Sequence, residues 1–238
     1  MPTETHSAVS DCTLVIMAKA PRSGVVKTRL SASLPPDAIL GLYRCLLEDT
    51  VALAQSLGGV ETAMMGPAGD VEELSRIAGR GVRVVAQTGS GLAAALTAVF
   101  EYFTAAGRRV VAFNSDSPHL PLSTLQQAFE ALTSCDLVVG PTYDGGYYLV
   151  GATAHHPGLF ASAALGTTNA LDTLLARAAS LKLSVRFTDP FYDIDVPADL
   201  ARLMEDLRVT PERAPRTASW LAKYTEVTAQ LRPGAGGL

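Results

Sequence analysis

Cysteine is scarce in this chain. The three present, Cys12, Cys45 and Cys135, are far apart and odd in number. That excludes a disulfide framework. They read as reduced thiols, with Cys45 and Cys135 filling core or near-core space. Long apolar runs are missing as well, and none approaches the length of a membrane span. Met1 to Cys12 has neither the basic start nor the apolar stretch of a secretory leader, so it reads as a frayed beginning of a cytoplasmic protein. Basic charge is not in excess: 19 Lys and Arg stand against 23 Asp and Glu, for a net charge of −4. General nucleic-acid binding, which wants a basic face, is therefore not expected. The chain has no GxxxxGK[ST] loop, no GxGxxG, no GxSxG elbow, no HExxH and no Cys/His nucleophile arrangement. His155-His156 lacks an acid or cysteine at metal-ligand spacing and reads as surface loop rather than a zinc site.

What the chain does have is a repeating strand–helix rhythm and enough apolar residues, 48%, to bury a sizeable core. Strands are expected at about 13–18, 60–66, 82–86, 109–114, 136–140, 147–151 and 183–188. Helices are expected at about 36–57, 69–79, 91–105, 121–134 and 169–180, with another opening near Pro197. Repeated βα units imply an α/β fold, a doubly wound and mostly parallel sheet with right-handed crossovers. Residues 13–208 form the main domain in this reading, and 209–238 an appendage. The appendage would hold a helix at 218–231, and its Pro-Gly-Ala-Gly-Gly end reads as disordered. The apolar stripe around Trp220 is a candidate homodimer contact.

Four constellations carry chemistry. Lys19, Arg22, Lys27 and Arg29 fall within eleven residues after the first strand, in a turn with Pro21 and Gly24. Chance would put about one cation there. Cations and bare backbone N–H groups at the carboxyl end of a strand suit a polyphosphate, though such a cluster can also be plain solvated surface. Asp116 follows the apolar strand 109–114 directly and reads as a divalent-cation ligand or as a turn residue before Pro118. Asp193 and Asp195 share one side of an extended segment. Two like charges that close favour a cation between them, while Asp195 is equally placed to cap the helix near Pro197. Asp199, in that helix's first turn, reads as a dipole partner. Asp144, Gly145, Gly146 and Tyr147 read as a hairpin turn, or as a place where a ligand approaches the backbone closely.

Taken together, Met17 to Leu30 (MAKAPRSGVVKTRL), Ser115 to Pro118 (SDSP), Gly140-Pro141 with Asp144 to Leu149 (DGGYYL), and Asp193 to Leu200 (DIDVPADL) resemble a bacterial glycosyltransferase family. That family is similar to the 2-phospholactate and phosphoenolpyruvate guanylyltransferases, within the nucleotide-diphospho-sugar transferase (GT-A-like) superfamily. The resemblance covers about residues 13–208. It implies a Rossmann-like three-layer sandwich with a mostly parallel mixed sheet, and a nucleotide and a small-molecule acceptor as ligands. It implies that Ala18, Lys19, Pro21, Arg22, Gly24, Lys27, Arg29, Gln87 and Ser115 bind the nucleotide. Asp116, Asp193 and Asp195 would hold Mg²⁺ or Mn²⁺, Lys27 and Asp116 would be catalytic, and Asp144, Gly145, Gly146 and Tyr147 would line the acceptor side. The expected reaction is nucleotidyl transfer from a nucleoside triphosphate with pyrophosphate release. The alternatives are glycosyl transfer from a nucleotide-diphospho sugar, with Asp144 as a base, and an inactive nucleotide-binding module. Departures from the family pattern fall at Thr88 to Leu96, which lacks the usual acid and arginine. They also fall at His119, where relatives have Asp, and at Leu165 to Thr168, where relatives have Trp-Ser-Thr.

Overall fold

A computed structural model describes residues 10–105, 107–161 and 169–231. In chain order the elements are β1 (Cys12–Met17), α1 (Pro36–Gln55), β2 (Glu61–Gly66), α2 (Val71–Ala78), β3 (Arg83–Ala86), α3 (Gly91–Thr104) and β4 (Arg109–Asn114). They continue with α4 (Leu122–Ala131), β5 (Leu137–Pro141), β6 (Tyr147–Ala152), α5 (Ala170–Ser180), β7 (Val185–Phe187), α6 (Pro197–Val209) and α7 (Pro215–Leu231). The seven strands make one sheet in the order β3-β2-β1-β4-β6-β5-β7. Only the pairings of β6 with β4 and β5 are antiparallel. The α/β class, the mixed sheet and the β5–β6 hairpin are as the sequence predicts.

Leu14, Val15 and Ile16 in β1 are fully buried. A strand with no polar alternation needs cover on both faces. Leu14 and Ile16 pack in one core with residues of α1, α2 and α4, and Val15 packs in another with α3 and α5. In α1, Ile39, Leu42, Tyr43, Leu46, Leu47, Val51 and Ala54 repeat at helical spacing and are buried. A third cluster joins α1 to α6 and α7 through Leu42, Leu46, Leu203, Leu207 and Leu221.

Two boundaries differ from expectation for physical reasons. The basic loop contains a 3-10 turn at Thr28–Ala32, tied down by the burial of Leu30. The last helix starts at Pro215 rather than 218. Its first turn is capped from α1: the Asp49 carboxylate accepts the Thr217 N–H and Oγ1–H, each at 2.8 Å, and the Arg216 N–H at 3.2 Å. Trp220 lies over Gly41, where a Cβ would meet its indole Nε1 at 2.7 Å. The stripe proposed for a dimer thus has an intrachain partner in α1. The expected frayed start (mainly residues 1–9), the 165–168 segment and the glycine-rich end lie outside the described residues.

Candidate active site

The parallel strands β2, β1 and β4 end side by side. The chain's strand order reverses between β1 and β4, the kind of switch point where open α/β sheets bind ligands. A cleft of about 680 Å³ opens there. Of the predicted site residues, Ala18, Lys19, Lys27, Gln87, Ser115, Asp116 and Asp195 line it.

At its floor the Lys27 ammonium lies 2.9 Å from Asp116 Oδ2 and 2.9 Å from Asp195 Oδ1. The Lys27 side chain is 3% exposed and its backbone is left-handed, with φ 50°. Burial alone would lower its pKa, but the two carboxylates outweigh burial and hold it at about 12. The acids come from segments 79 residues apart, 116 and 195, and hydrogen bonds to main-chain carbonyls bring them together. The Ile194 N–H donates to the Asp116 carbonyl at 3.1 Å, and Ser117 Oγ donates to the Tyr192 carbonyl at 2.9 Å. The cap role weighed for Asp195 falls instead to Asp199, whose Oδ2 accepts the N–H groups of Asp195 (2.9 Å) and Val196 (2.8 Å). That leaves the Asp195 carboxylate for Lys27. Asp193 lies close enough to feel the other two acids. Burial first, then Asp195 and Asp116, push its pKa up to about 6. Among the described residues, no group of three or more His, Cys, Asp or Glu side chains is arranged to hold a metal ion.

The basic loop is held by residues that sequence reasoning missed. Asp70, 4% exposed, accepts the Ala20 N–H at 2.8 Å and also pairs with Arg22. Arg22 donates to the Gly69 carbonyl at 2.9 Å and lies 3.7 Å from Glu73. It thus faces α2 and its lead-in rather than the cleft. Arg29, 70% exposed, sits 3.7 Å from Asp195 Oδ2 on the outer side. Tyr43 of α1 was legible only as part of an apolar stripe. Its hydroxyl donates to the Lys19 carbonyl at 3.1 Å, accepts the Lys19 N–H at 3.3 Å and meets Ser115 Oγ at 3.3 Å. Burial, and after it the Asp116 charge, raises its pKa to about 12.

Other predicted residues do not line the cleft: Pro21, Arg22, Gly24, Arg29, Asp193, and the hairpin residues Asp144, Gly145, Gly146 and Tyr147. In the hairpin, Asp144 Oδ1 accepts Thr142 Oγ1–H at 2.5 Å and the Gly146 N–H at 3.3 Å. A Cβ on Gly146 would press on Thr142 Oγ1 at 2.8 Å, so the second glycine serves the turn itself. The three thiols are free, as expected. His119 is enclosed between Phe191 and Tyr192, with ring centroids at 4.8 and 4.7 Å.

With this geometry in view, the family described as uncharacterized protein conserved in bacteria (DUF2064) matches residues 50–167. A Desulfovibrio desulfuricans G20 structure, provisionally named a nucleotide-diphospho-sugar transferase, superposes with a TM-score of 0.85 and 25% identity. The match covers 93% of this chain and 98% of that one. A nucleotidyl transferase from Methanothermobacter matches with a TM-score of 0.57 and 21% identity, over 84% of this chain and 98% of its own. Rv0371c from Mycobacterium tuberculosis H37Rv, in complex with manganese, matches with a TM-score of 0.51 and 19% identity, over 83% and 99%. No curated protein sequence matches the chain. The fold is that of the nucleotide-diphospho-sugar transferases and nucleotidyltransferases. No helix among the described residues is long and apolar enough to cross a membrane.

Proposed function

We propose that this protein is a metal-dependent nucleotidyltransferase. It moves a nucleoside monophosphate from a nucleoside triphosphate to a small phosphorylated acceptor and releases pyrophosphate. The carrying observation is the convergence of Asp116 and Asp195 on the Lys27 ammonium at the cleft floor, both at 2.9 Å. Oxygen donors already gathered around one cation fit Mg²⁺ or Mn²⁺, with Asp116 and Asp195 as ligands and Asp193 beside them. That a structure of the same fold, Rv0371c, is a complex with manganese supports the choice of a divalent metal. Bound there, the cation would supply charge neutralisation to the reacting phosphates.

The chain's own residues bind and orient. Lys19 and Lys27 meet phosphate oxygens, and Gln87 and the glycine-rich turn after it face the base. The hairpin from Asp144 to Tyr147 lies toward the acceptor. An acceptor phosphate oxygen attacks the α-phosphorus in line as the bond to the bridging oxygen of the leaving pyrophosphate breaks. The attacking acceptor oxygen is already anionic, so no side chain need take a proton, and positioning with charge stabilisation carries the rate.

The name of the Desulfovibrio relative favours a second reading, glycosyl transfer from a nucleotide-diphospho sugar. Thermal-shift titration with GTP, CTP, UTP, ATP and sugar nucleotides, each with and without Mg²⁺ or Mn²⁺, separates the two. A ligand at about 100 times its Kd adds about 2.7 kcal/mol. Stabilisation by one triphosphate that needs metal and is lost in Asp116→Ala, followed by pyrophosphate release with an acceptor, supports nucleotidyl transfer. Stabilisation by a sugar nucleotide alone, with nucleoside diphosphate as product, overturns it.

A further inference from the structure

Lys27 uses the same carboxylate oxygens that a divalent cation would need. Asp116 Oδ2 and Asp195 Oδ1 both point at its ammonium, from 2.9 Å each. The lysine reaches them from a left-handed backbone that non-glycine residues seldom adopt, and its side chain is nearly sealed from solvent. Asp116, Asp193 and Asp195 with Lys27 carry a formal charge of −2; without the lysine the three acids carry −3. The cleft thus contains a built-in cation, on a side chain that lines it.

We propose that Lys27 is an exchangeable stand-in for the catalytic metal. In the empty protein it blocks the Asp116–Asp195 pair, and an arriving triphosphate draws the ammonium onto its phosphate oxygens, which frees the pair for the divalent ion. Metal and nucleotide therefore bind together, with the free enzyme resisting metal alone. This rests on the nucleotidyltransferase reading. Its physical basis is that a repulsive acid cluster demands one cation at a time, and a tethered ammonium competes with a free ion for the same two oxygens. An anionic phosphate offers the ammonium an alternative partner of equal kind.

The test is Mn²⁺ binding to the full chain, read from the paramagnetic resonance signal of the free ion. Without nucleotide, Lys27→Met is expected to bind Mn²⁺ at least tenfold more tightly than wild type. The second substitution Asp116→Asn is expected to abolish that gain. Adding a triphosphate analogue with a non-cleavable α,β bridge is expected to raise wild-type Mn²⁺ affinity at least tenfold. It should raise that of Lys27→Met by much less. Equal Mn²⁺ binding by wild type and Lys27→Met in the absence of nucleotide would overturn the exchange. Should Lys27→Met fail to fold, wild type alone decides: Mn²⁺ affinity unchanged by the analogue also overturns it. Analogue binding is scored separately by thermal shift, so failure of the nucleotidyltransferase reading is distinguishable from failure of the exchange.

Discussion

The Tyr43 hydroxyl and Ser115 Oγ stand 3.3 Å apart, and through that contact α1 links the start of the basic loop to the residue beside Asp116. The same hydroxyl serves both the N–H and the carbonyl of Lys19. Tyr43→Phe keeps the ring and its packing but deletes these bonds. Net, about 0.5–1.5 kcal/mol of stability should be lost, with a larger proportional fall in triphosphate affinity than in melting temperature. Calorimetry of nucleotide binding beside a thermal melt checks this. A variant that binds as wild type while melting lower would reduce Tyr43 to a packing residue.

Asp70 and Arg22 make unequal contributions to the loop. Asp70 is buried and satisfies the Ala20 N–H, whereas Arg22 is about half exposed. Asp70→Ala leaves a buried donor without its acceptor and should cost about 1–3 kcal/mol. Arg22→Ala should cost about 1 kcal/mol or less, as exposed partners of ion pairs do. Hydrogen exchange should show faster exchange of the Ala20 amide in Asp70→Ala. Equal destabilisation by the two substitutions would contradict this account.

His119 gives a pH dependence of definite sign. Burial, partly opposed by Asp206, lowers its pKa from 6.5 to about 4, and the ring is 1% exposed. Among the described residues its two nitrogens have no hydrogen-bond partner. Because the folded value is depressed, the unfolded chain binds the proton first. The stability contribution is therefore complete above about pH 6.5 and is lost as pH falls toward 4. At roughly 1.4 kcal/mol per unit the loss reaches about 3 kcal/mol. His119→Phe should flatten this part of the stability curve. Parallel melts at pH 7.5 and 4.5 test it, the wild-type drop exceeding that of the variant by about 2–3 kcal/mol.

The cap on α7 is similarly open to test. Asp49 is 1% exposed and receives both Thr217 donors. Asp49→Ala should release about 1–3 kcal/mol of stability and expose the first turn of α7 to hydrogen exchange. Unchanged protection of the Thr217 amide would rule the cap out.

What was legible in the sequence was local. The run Leu14 to Ile16, the α1 periodicity and the Asp-Gly-Gly hairpin each follow from a handful of adjacent residues. So does the placing of Asp116 at the end of an apolar strand. The pairings made at long range were not legible. Lys27 meets Asp195 across 168 residues and Asp49 meets Thr217 across the same separation. No spacing rule announces either. The basic cluster illustrates the limit: composition reads four equivalent cations, whereas Arg22 is taken by Asp70, Arg29 stays in solvent, and Lys19 and Lys27 reach the cleft. Tyr43 was hidden for the opposite reason, since a buried tyrosine on an apolar stripe looks like filler until its hydroxyl finds three partners.

The stitching of the 192–194 segment to Ser117 and Asp116 has a consequence for how the chain is made. Ribosomes deliver Lys27 and Asp116 long before Asp195. Through most of synthesis the lysine has one counter-ion rather than two, and the cleft floor is an unfinished joint. The cleft end of the sheet should therefore be among the last regions to become protected, after the strands that frame it have already set.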